Sequence, residues 1–175
     1  MLENRIKSII RDVPDFPKPG ILFKDITPLL HQHDLSKDIV KALSDQWRNQ
    51  EVHAIAGIES RGFIYGMSMA QELGLPFIPV RKAGKLPYKT FTHAYELEYG
   101  SAEIEIHVDA VSQGMNVLIH DDLLATGGTA AAAATLIKKA GGNVSGFSFL
   151  VELSFLQGKQ ELKPHSDHIS SLVTY

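Results

Sequence analysis

The sequence predicts an α/β fold: a doubly wound, mostly parallel sheet flanked by helices, with a flexible hairpin flap over one end. Three observations carry that prediction. A short apolar run at residues 53–58 is followed by a helical stretch reaching Leu73, a stop at Gly74 and a second apolar run at 75–80, which is the spacing of a parallel βαβ unit. The same order recurs at 117–121, an alanine-rich helix at 130–139 and an apolar run at 144–151. Between the two units, residues 92–99 and 102–108 show partial alternation around Gly100-Ser101, which predicts an antiparallel hairpin.

The elements ahead of the first unit follow from spacing and from proline. Ile6, Ile9, Ile10 and Val13 fall at helical intervals, so an amphipathic helix is expected to run up to Pro14. Pro14, Pro17, Pro19 and Gly20 then hold an irregular stretch that leads into Ile21-Leu22-Phe23. Leu35, Ile39, Leu43 and Trp47 mark a second helix, with Asp34 as its expected cap. No tandem repeat is present, and the whole of 1–175 reads as a single domain.

Chemistry concentrates in residues 117–130. Val117-Leu118-Ile119 has the composition of a buried parallel strand, and Asp121 and Asp122 are expected where that strand emerges, at the end of the sheet where open α/β folds bind ligands. Ala125, Thr126, Gly127, Gly128 and Thr129 follow, offering two glycines for close backbone approach and two hydroxyls just before a helix N-terminus. Free N–H groups and the positive end of the helix dipole suit a phosphate. Paired carboxylates would repel that phosphate, so they need another partner: vicinal ribose hydroxyls or water-mediated Mg²⁺. Taken singly, the acid pair also fits a solvated helix approach, and Thr-Gly-Gly-Thr an ordinary turn with a cap. In this order the parts describe a sugar-phosphate cradle.

Residues 119–130 resemble the phosphoribosyl pyrophosphate signature of the type I phosphoribosyltransferases, in the form used by the adenine-specific branch of that family. Four further stretches agree in order: 15–26 (DFPKPGILFKDI), Ser60-Arg61-Gly62-Phe63, 81–87 (RKAGKLP) and Leu97-Glu98-Tyr99-Gly100. The resemblance spans nearly the whole chain. It implies the type I phosphoribosyltransferase fold, with residues 1–33 as a base-binding segment and 81–108 as flap and hairpin. It also implies transfer of the phosphoribosyl group of phosphoribosyl pyrophosphate to adenine, giving AMP and diphosphate in purine salvage.

The same resemblance distributes the roles. Ala125 to Thr129 would take the 5′-phosphate, Asp121 and Asp122 the ribose hydroxyls and the developing oxocarbenium charge. Arg61, Arg81, Lys82 and Lys85 would hold the leaving diphosphate together with Mg²⁺, which is expected mainly on diphosphate, ribose hydroxyls and water. Leu22, Phe23 and Lys24 would receive adenine, by stacking on the Phe23 ring and by backbone groups reading the base edge. Lys24 stands where the family often has Arg, and Lys lacks the planar fork. Glu98 would accept the proton that the purine loses, and Tyr99 would close over the site and exclude water. An often cis peptide in the loop before Arg61 would be Glu59-Ser60. A homodimer is the usual state of the family. On residue type alone, the Arg81–Lys85 cluster also fits a solvated loop, Phe23 a core position, and Glu98 and Tyr99 plain hairpin positions.

Composition excludes other classes. With no cysteine, neither disulfides nor thiolate metal sites can form. A net charge of −3 argues against a general nucleic-acid binder. The first residues lack the apolar core of a signal peptide and no stretch reaches membrane-spanning length, so a cytoplasmic protein with no membrane partner is expected. P-loop, dinucleotide-binding, nucleophile-elbow and HExxH patterns do not occur. His31 and His33, two apart with no matched third ligand, read as a solvated loop rather than a metal site, and His120 as a structural residue. Two alternatives stay open: transfer to a 6-oxopurine, and a non-catalytic regulator that senses phosphoribosyl pyrophosphate.

Overall fold

The computed structural model describes residues 1–97 and 100–175. The chain begins with Leu2–Ile9 (α1), whose Ile6 is fully buried. This helix stops four residues earlier than its periodicity predicts, because Arg11–Pro14 (β1) leaves as a strand and pairs antiparallel with Leu22–Asp25 (β2). The loop between them carries a cis Phe16-Pro17 peptide, and the Asp15 carboxylate accepts the Gly20 N–H at 2.7 Å. Val13 therefore faces Phe23 across a two-stranded ribbon instead of ending a helix.

Thr27–Leu30 (α2) and His33–Asp45 (α3) follow. The expected cap at Asp34 is corrected: it lies in the first turn of α3, where its charge still suits the helix dipole, and Gln32 occupies the cap position. His31 and His33 are exposed. Leu35, Ile39 and Leu43 supply the buried stripe of α3, and Trp47 continues it just past the helix end.

Ala54–Ile58 (β3) is buried at every position, as a strand covered on both faces must be. Gly62–Leu73 (α4) ends at Gly74, which adopts φ 67° as a left-handed C-terminal residue. Phe77–Lys82 (β4) extends beyond the predicted run to include both Arg81 and Lys82. Thr90–Glu96 (β5) and Ser101–His107 (β6) form the expected hairpin; the Glu98-Tyr99 pair lies outside the described residues.

Asn116–Leu124 (β7) is longer than expected, so that Asp121 and Asp122 belong to the strand itself and do not follow it. Ladder pairing with Asn143–Glu152 (β8) continues as far as Leu124 and keeps the acids in the sheet. Gly128–Lys139 (α5) lies between these two strands in sequence, and Gly158–Leu162 (α6) and Ile169–Thr174 (β9) complete the chain. Neither of these last two elements was anticipated from the sequence. Among the described residues the main sheet has the order β5-β6-β4-β3-β7-β8-β9, parallel from β4 to β9, with the hairpin antiparallel at one edge.

One face of the sheet packs on α5, whose Ala130 to Ala134 are all buried and let the helix axis come close. The other face packs on α1, α3 and α4 through Ile6, Ile39, Leu43, Tyr65 and Met69. No helix among the described residues is long and apolar enough to cross a membrane. Where α3 meets β8, a Cβ at Gly146 would overlap the Trp47 ring and the His168 carbonyl. Gly146→Ala is therefore expected to cost about 1–3 kcal/mol through overpacking. Thermal melts should show the midpoint falling by at least ~2 °C, the shift expected for about 1 kcal/mol in a chain of this size.

Candidate active site

Three parallel strands end side by side, and the loops at their carboxyl ends meet. β3 delivers Glu59, Ser60 and Arg61, β4 delivers Arg81 and Lys82 with Lys85 just beyond, and β7 carries Asp121 and Asp122. A cavity of about 330 Å³ lies among them, lined by Glu59, Ser60, Arg61, Lys82, Lys85 and the two aspartates. The Glu59-Ser60 peptide is cis, as the family resemblance implied. Gly62 makes the juxtaposition possible: a Cβ there would stand 2.9 Å from the Asp121 carboxylate and 3.0 Å from the His120 carbonyl.

Opposite charges are paired across this cavity. Arg61 Nε donates to Asp122 Oδ2 at 2.6 Å, with the carboxylate buried and the guanidinium half exposed. The Asp122 N–H donates to Asp121 Oδ1 at 2.8 Å. Burial first, and the neighbouring Asp122 charge second, push the Asp121 carboxyl well above the ordinary carboxylate range. The surroundings of the two acids thus differ: Asp122 is held by a cation, while burial favours the protonated form of Asp121.

On the far side, Glu59 accepts from the Lys85 ammonium at 2.5 Å and from the Lys82 backbone N–H at 2.8 Å, with Arg81 Nε at 3.4 Å. Burial works to raise the Glu59 carboxyl, but the bonds from Lys85, the Lys82 amide and Arg81 outweigh it and hold the group at about 2. Glu105, buried in β6, accepts the backbone N–H groups of Lys85 and Leu86 at 2.9 and 2.8 Å and so shapes the basic loop.

A second, smaller cavity of about 90 Å³ lies against the first and shares Asp121 with it. Ala125, Thr126, Gly127, Gly128 and Thr129 line it, and α5 starts at Gly128, so the unpaired N–H groups of its first turn open on this loop. Gly127 has φ 89°, and a Cβ there would sit 2.6 Å from the Gly158 carbonyl. Thr129 Oγ1 lies 3.2 Å from the Tyr95 hydroxyl, and Lys139 donates to the Thr92 carbonyl at 3.0 Å, so the hairpin is fastened to the loop and its helix.

The predicted base-binding residues divide. Phe23 is half-buried, stacks edge-on to Phe16 at 5.1 Å between centroids and has the Arg61 guanidinium 5.3 Å from its ring, which brings it to the site. Leu22 is exposed on the same strand. The Lys24 side chain turns away: its ammonium pairs with Asp12 at 2.6 Å and stands 4.0 Å over the Tyr175 ring. Only its backbone is then left for a ligand beside Phe23. Glu98 and Tyr99 lie outside the described residues.

His120 is fully buried beneath the acids, 3.4 Å from the Ser148 hydroxyl, and burial lowers it to about 4, so the ring is neutral. Sequence reasoning missed Glu59, Glu105, Tyr95 and Gly158. The available signals were small: an acid immediately before Ser60-Arg61, and an acid between Ile104 and Ile106 that the alternation of residues 102–108 assigns to a wet face. Among the described residues no group of three or more His, Cys, Asp or Glu is arranged to hold a metal.

An acid pair at a strand end, a helix-capped anion loop and a cation-lined cavity on a parallel sheet define a phosphoribosyltransferase. The profile of the phosphoribosyl transferase domain matches residues 28–173. An adenine phosphoribosyltransferase of Cytophaga hutchinsonii is 56% identical over 175 residues, covering 100% of this chain and 97% of that protein. The solved adenine phosphoribosyltransferase of Thermoanaerobacter pseudethanolicus superposes with a TM-score of 0.96 at 46% identity and covers both chains fully. That of Saccharomyces cerevisiae, complexed with an imino-altritol bisphosphate and adenine, has a TM-score of 0.91 at 39% identity and 98% coverage of each chain. The chain belongs to the adenine phosphoribosyltransferase branch of the type I phosphoribosyltransferase family.

The Glu59 environment has a measurable consequence. A carboxyl lowered from 4.5 to about 2 contributes stability that is complete above its unfolded value and fades as pH falls towards 2. Glu59→Gln should therefore melt below the wild type at pH 7, and the gap in midpoint should close progressively in melts taken below pH 4.5. A gap that is constant with pH would reject this electrostatic environment.

Proposed function

We propose that the chain transfers the 5-phosphoribosyl group of phosphoribosyl pyrophosphate to adenine, producing AMP and diphosphate. The observation that carries the reading is the meeting of the acid pair, the basic groups and the loop at the α5 N-terminus around two adjoining cavities. Breaking the bond between C1 of the ribose and diphosphate leaves positive charge on the sugar and negative charge on the leaving group. The site has groups for both.

In this reading the Ala125–Thr129 loop holds the 5′-phosphate with backbone N–H groups and hydroxyls, which fixes one end of the sugar. Asp121 and Asp122 bind the 2′- and 3′-hydroxyls beneath the ring, and the ionised Asp122 also favours the cationic sugar. Asp122 must share its interaction with Arg61 as the substrate enters. Arg61, Arg81, Lys82 and Lys85 take the departing diphosphate. The donor set suits Mg²⁺, since oxygen-only carboxylates beside a diphosphate cavity are the hard ligands it accepts, largely through water. When bound, the ion would neutralise charge on the leaving diphosphate.

Adenine is placed against Phe23, with the backbone of Leu22 and Lys24 available to its edge. Glu98 would take the proton lost as the base attacks, and Tyr99 would exclude water that would otherwise hydrolyse the activated sugar. Residues 1–33 then act as the base-binding segment and 81–108 as the flap and hairpin. A cytoplasmic location fits a chain without cysteine. A homodimer belongs to the same reading: Ile64 of α4 and Leu30 of α2, 39% and 37% exposed, line the groove between α3 and α4, apolar surface that a second copy would cover.

The deciding experiment is purine-dependent release of diphosphate, with and without Mg²⁺. Adenine should support turnover, and hypoxanthine or guanine should compete poorly because a 6-oxo group presents an acceptor where adenine presents a donor. Comparable turnover on hypoxanthine would overturn the base assignment. Asp122→Asn should lower kcat/KM at least ~10-fold with little change in melting, through lost transition-state stabilisation. Sedimentation of the wild type should give a dimer, and Ile64→Asp should shift it towards monomer.

A further inference from the structure

Of the three carboxylates on the larger cavity, two have a place in the proposed reaction. Glu59 has none, yet it is the acid most engaged with the cations. Its side chain is only 9% exposed and receives the Lys85 ammonium, the Lys82 backbone N–H and the Arg81 guanidinium. These partners come from the end of β4 and the loop after it, which Glu105 shapes independently through the Lys85 and Leu86 amides. A diphosphate arriving here would compete with Glu59 for the same donors.

The contacts are not equally exchangeable. Lys85 is half exposed on a flexible stem and can swing to a new anion. The Lys82 bond is made by backbone held in the strand, so it cannot swing away and persists, weakened, with a neutral acceptor. In the free protein, Arg81, Lys82 and Lys85 would repel one another, and a fixed negative charge among them offsets that repulsion. When diphosphate binds, the Lys85–Glu59 pair has to be given up and Glu59 is left beside a polyanion.

We propose that Glu59 is a positioning residue that serves as the resident counter-ion of the diphosphate site: it keeps the basic loop assembled when the site is empty and competes for Lys85 when the site is filled. Diphosphate is thereby held weakly enough to leave. This rests on reading the cavity as the diphosphate site.

The test is calorimetric titration of the wild type and Glu59→Gln with inorganic diphosphate in the presence of Mg²⁺. Glutamine keeps an acceptor for the Lys82 N–H and removes the competing charge, so diphosphate should bind about 2- to 5-fold more tightly, the range for one partly exposed ion pair. In a Lys85→Met background the same change should bring no such gain. Product inhibition by diphosphate should strengthen in parallel. Loss of a merely structural residue would weaken binding, so a gain separates the two roles. Should Glu59→Gln fold poorly, Glu59→Asp, which draws the charge back by one methylene, should also tighten binding, by a smaller factor. Equal or weaker diphosphate binding in the folded variants overturns the counter-ion role while leaving the cavity assignment intact. A wild type that binds neither diphosphate nor phosphoribosyl pyrophosphate overturns the assignment itself, and the counter-ion role with it.

Discussion

Parallel pairing of β3 with β7, with Ala54 opposite Val117 and Gly57 opposite His120, is the constraint on which the site depends. It sets the carboxyl ends of two strands 63 positions apart in register at the middle of the sheet, so the loop after one lies on the acids within the other. The approach tolerates no side chain at Gly62, and the helix that begins there carries the adjacent Arg61 onto Asp122. Because both strands are buried on both faces, a slip by one residue would turn apolar side chains into the site and the acids into the core. The hydrophobic effect that specifies the sheet therefore also specifies the geometry of the charges.

Most of those charges are paired. Arg61 is paired with Asp122, and Arg81 and Lys85 with Glu59, so the cavity holds opposing groups already in place. Buried or half-buried ions left unpaired would be costly, and pairing lets a site of high charge density exist within a stable fold. In the proposed reaction, substrate binding would be an exchange of partners, with phosphate and hydroxyl groups replacing bonds the protein already makes. Asp121 extends the same logic, since burial and the adjacent Asp122 carboxylate hold its carboxyl above the ordinary range.

The segment that carries Phe23 is held by the far end of the chain. Lys24 lies over the Tyr175 ring while pairing with Asp12, and Lys7 of α1 lies 5.2 Å from the same ring. Phe23 in turn has Arg61 against it. The ribbon of β1 and β2 is thus tied to β9 on one face and to the charged site on the other. A lysine serves this arrangement well, since an ammonium can point away to an aromatic ring while the backbone of the same residue stays in the strand beside Phe23.

The sequence by itself determined the two βαβ units, the hairpin and the glycine-bearing loop ahead of α5, because a buried strand, a helix stop and a helix N-terminus each need residue types that are local in the chain. It also named the acid pair and the basic cluster. It did not reveal that the strand carries on through Asp121 and Asp122, since whether a polar residue stays in a ladder depends on the strand beside it. Nor did it reveal that Val13 leaves the helix for β1: helical spacing and strand pairing compete there, and the partner, Phe23, is distant. The partners of Glu59 and Glu105 likewise became visible only in three dimensions. An acid reads as solvated until the cations and amides that surround it, brought from another strand, are seen to enclose it. Local propensity is written in neighbouring residues, whereas ion pairing and close approach are properties of strands brought together by folding.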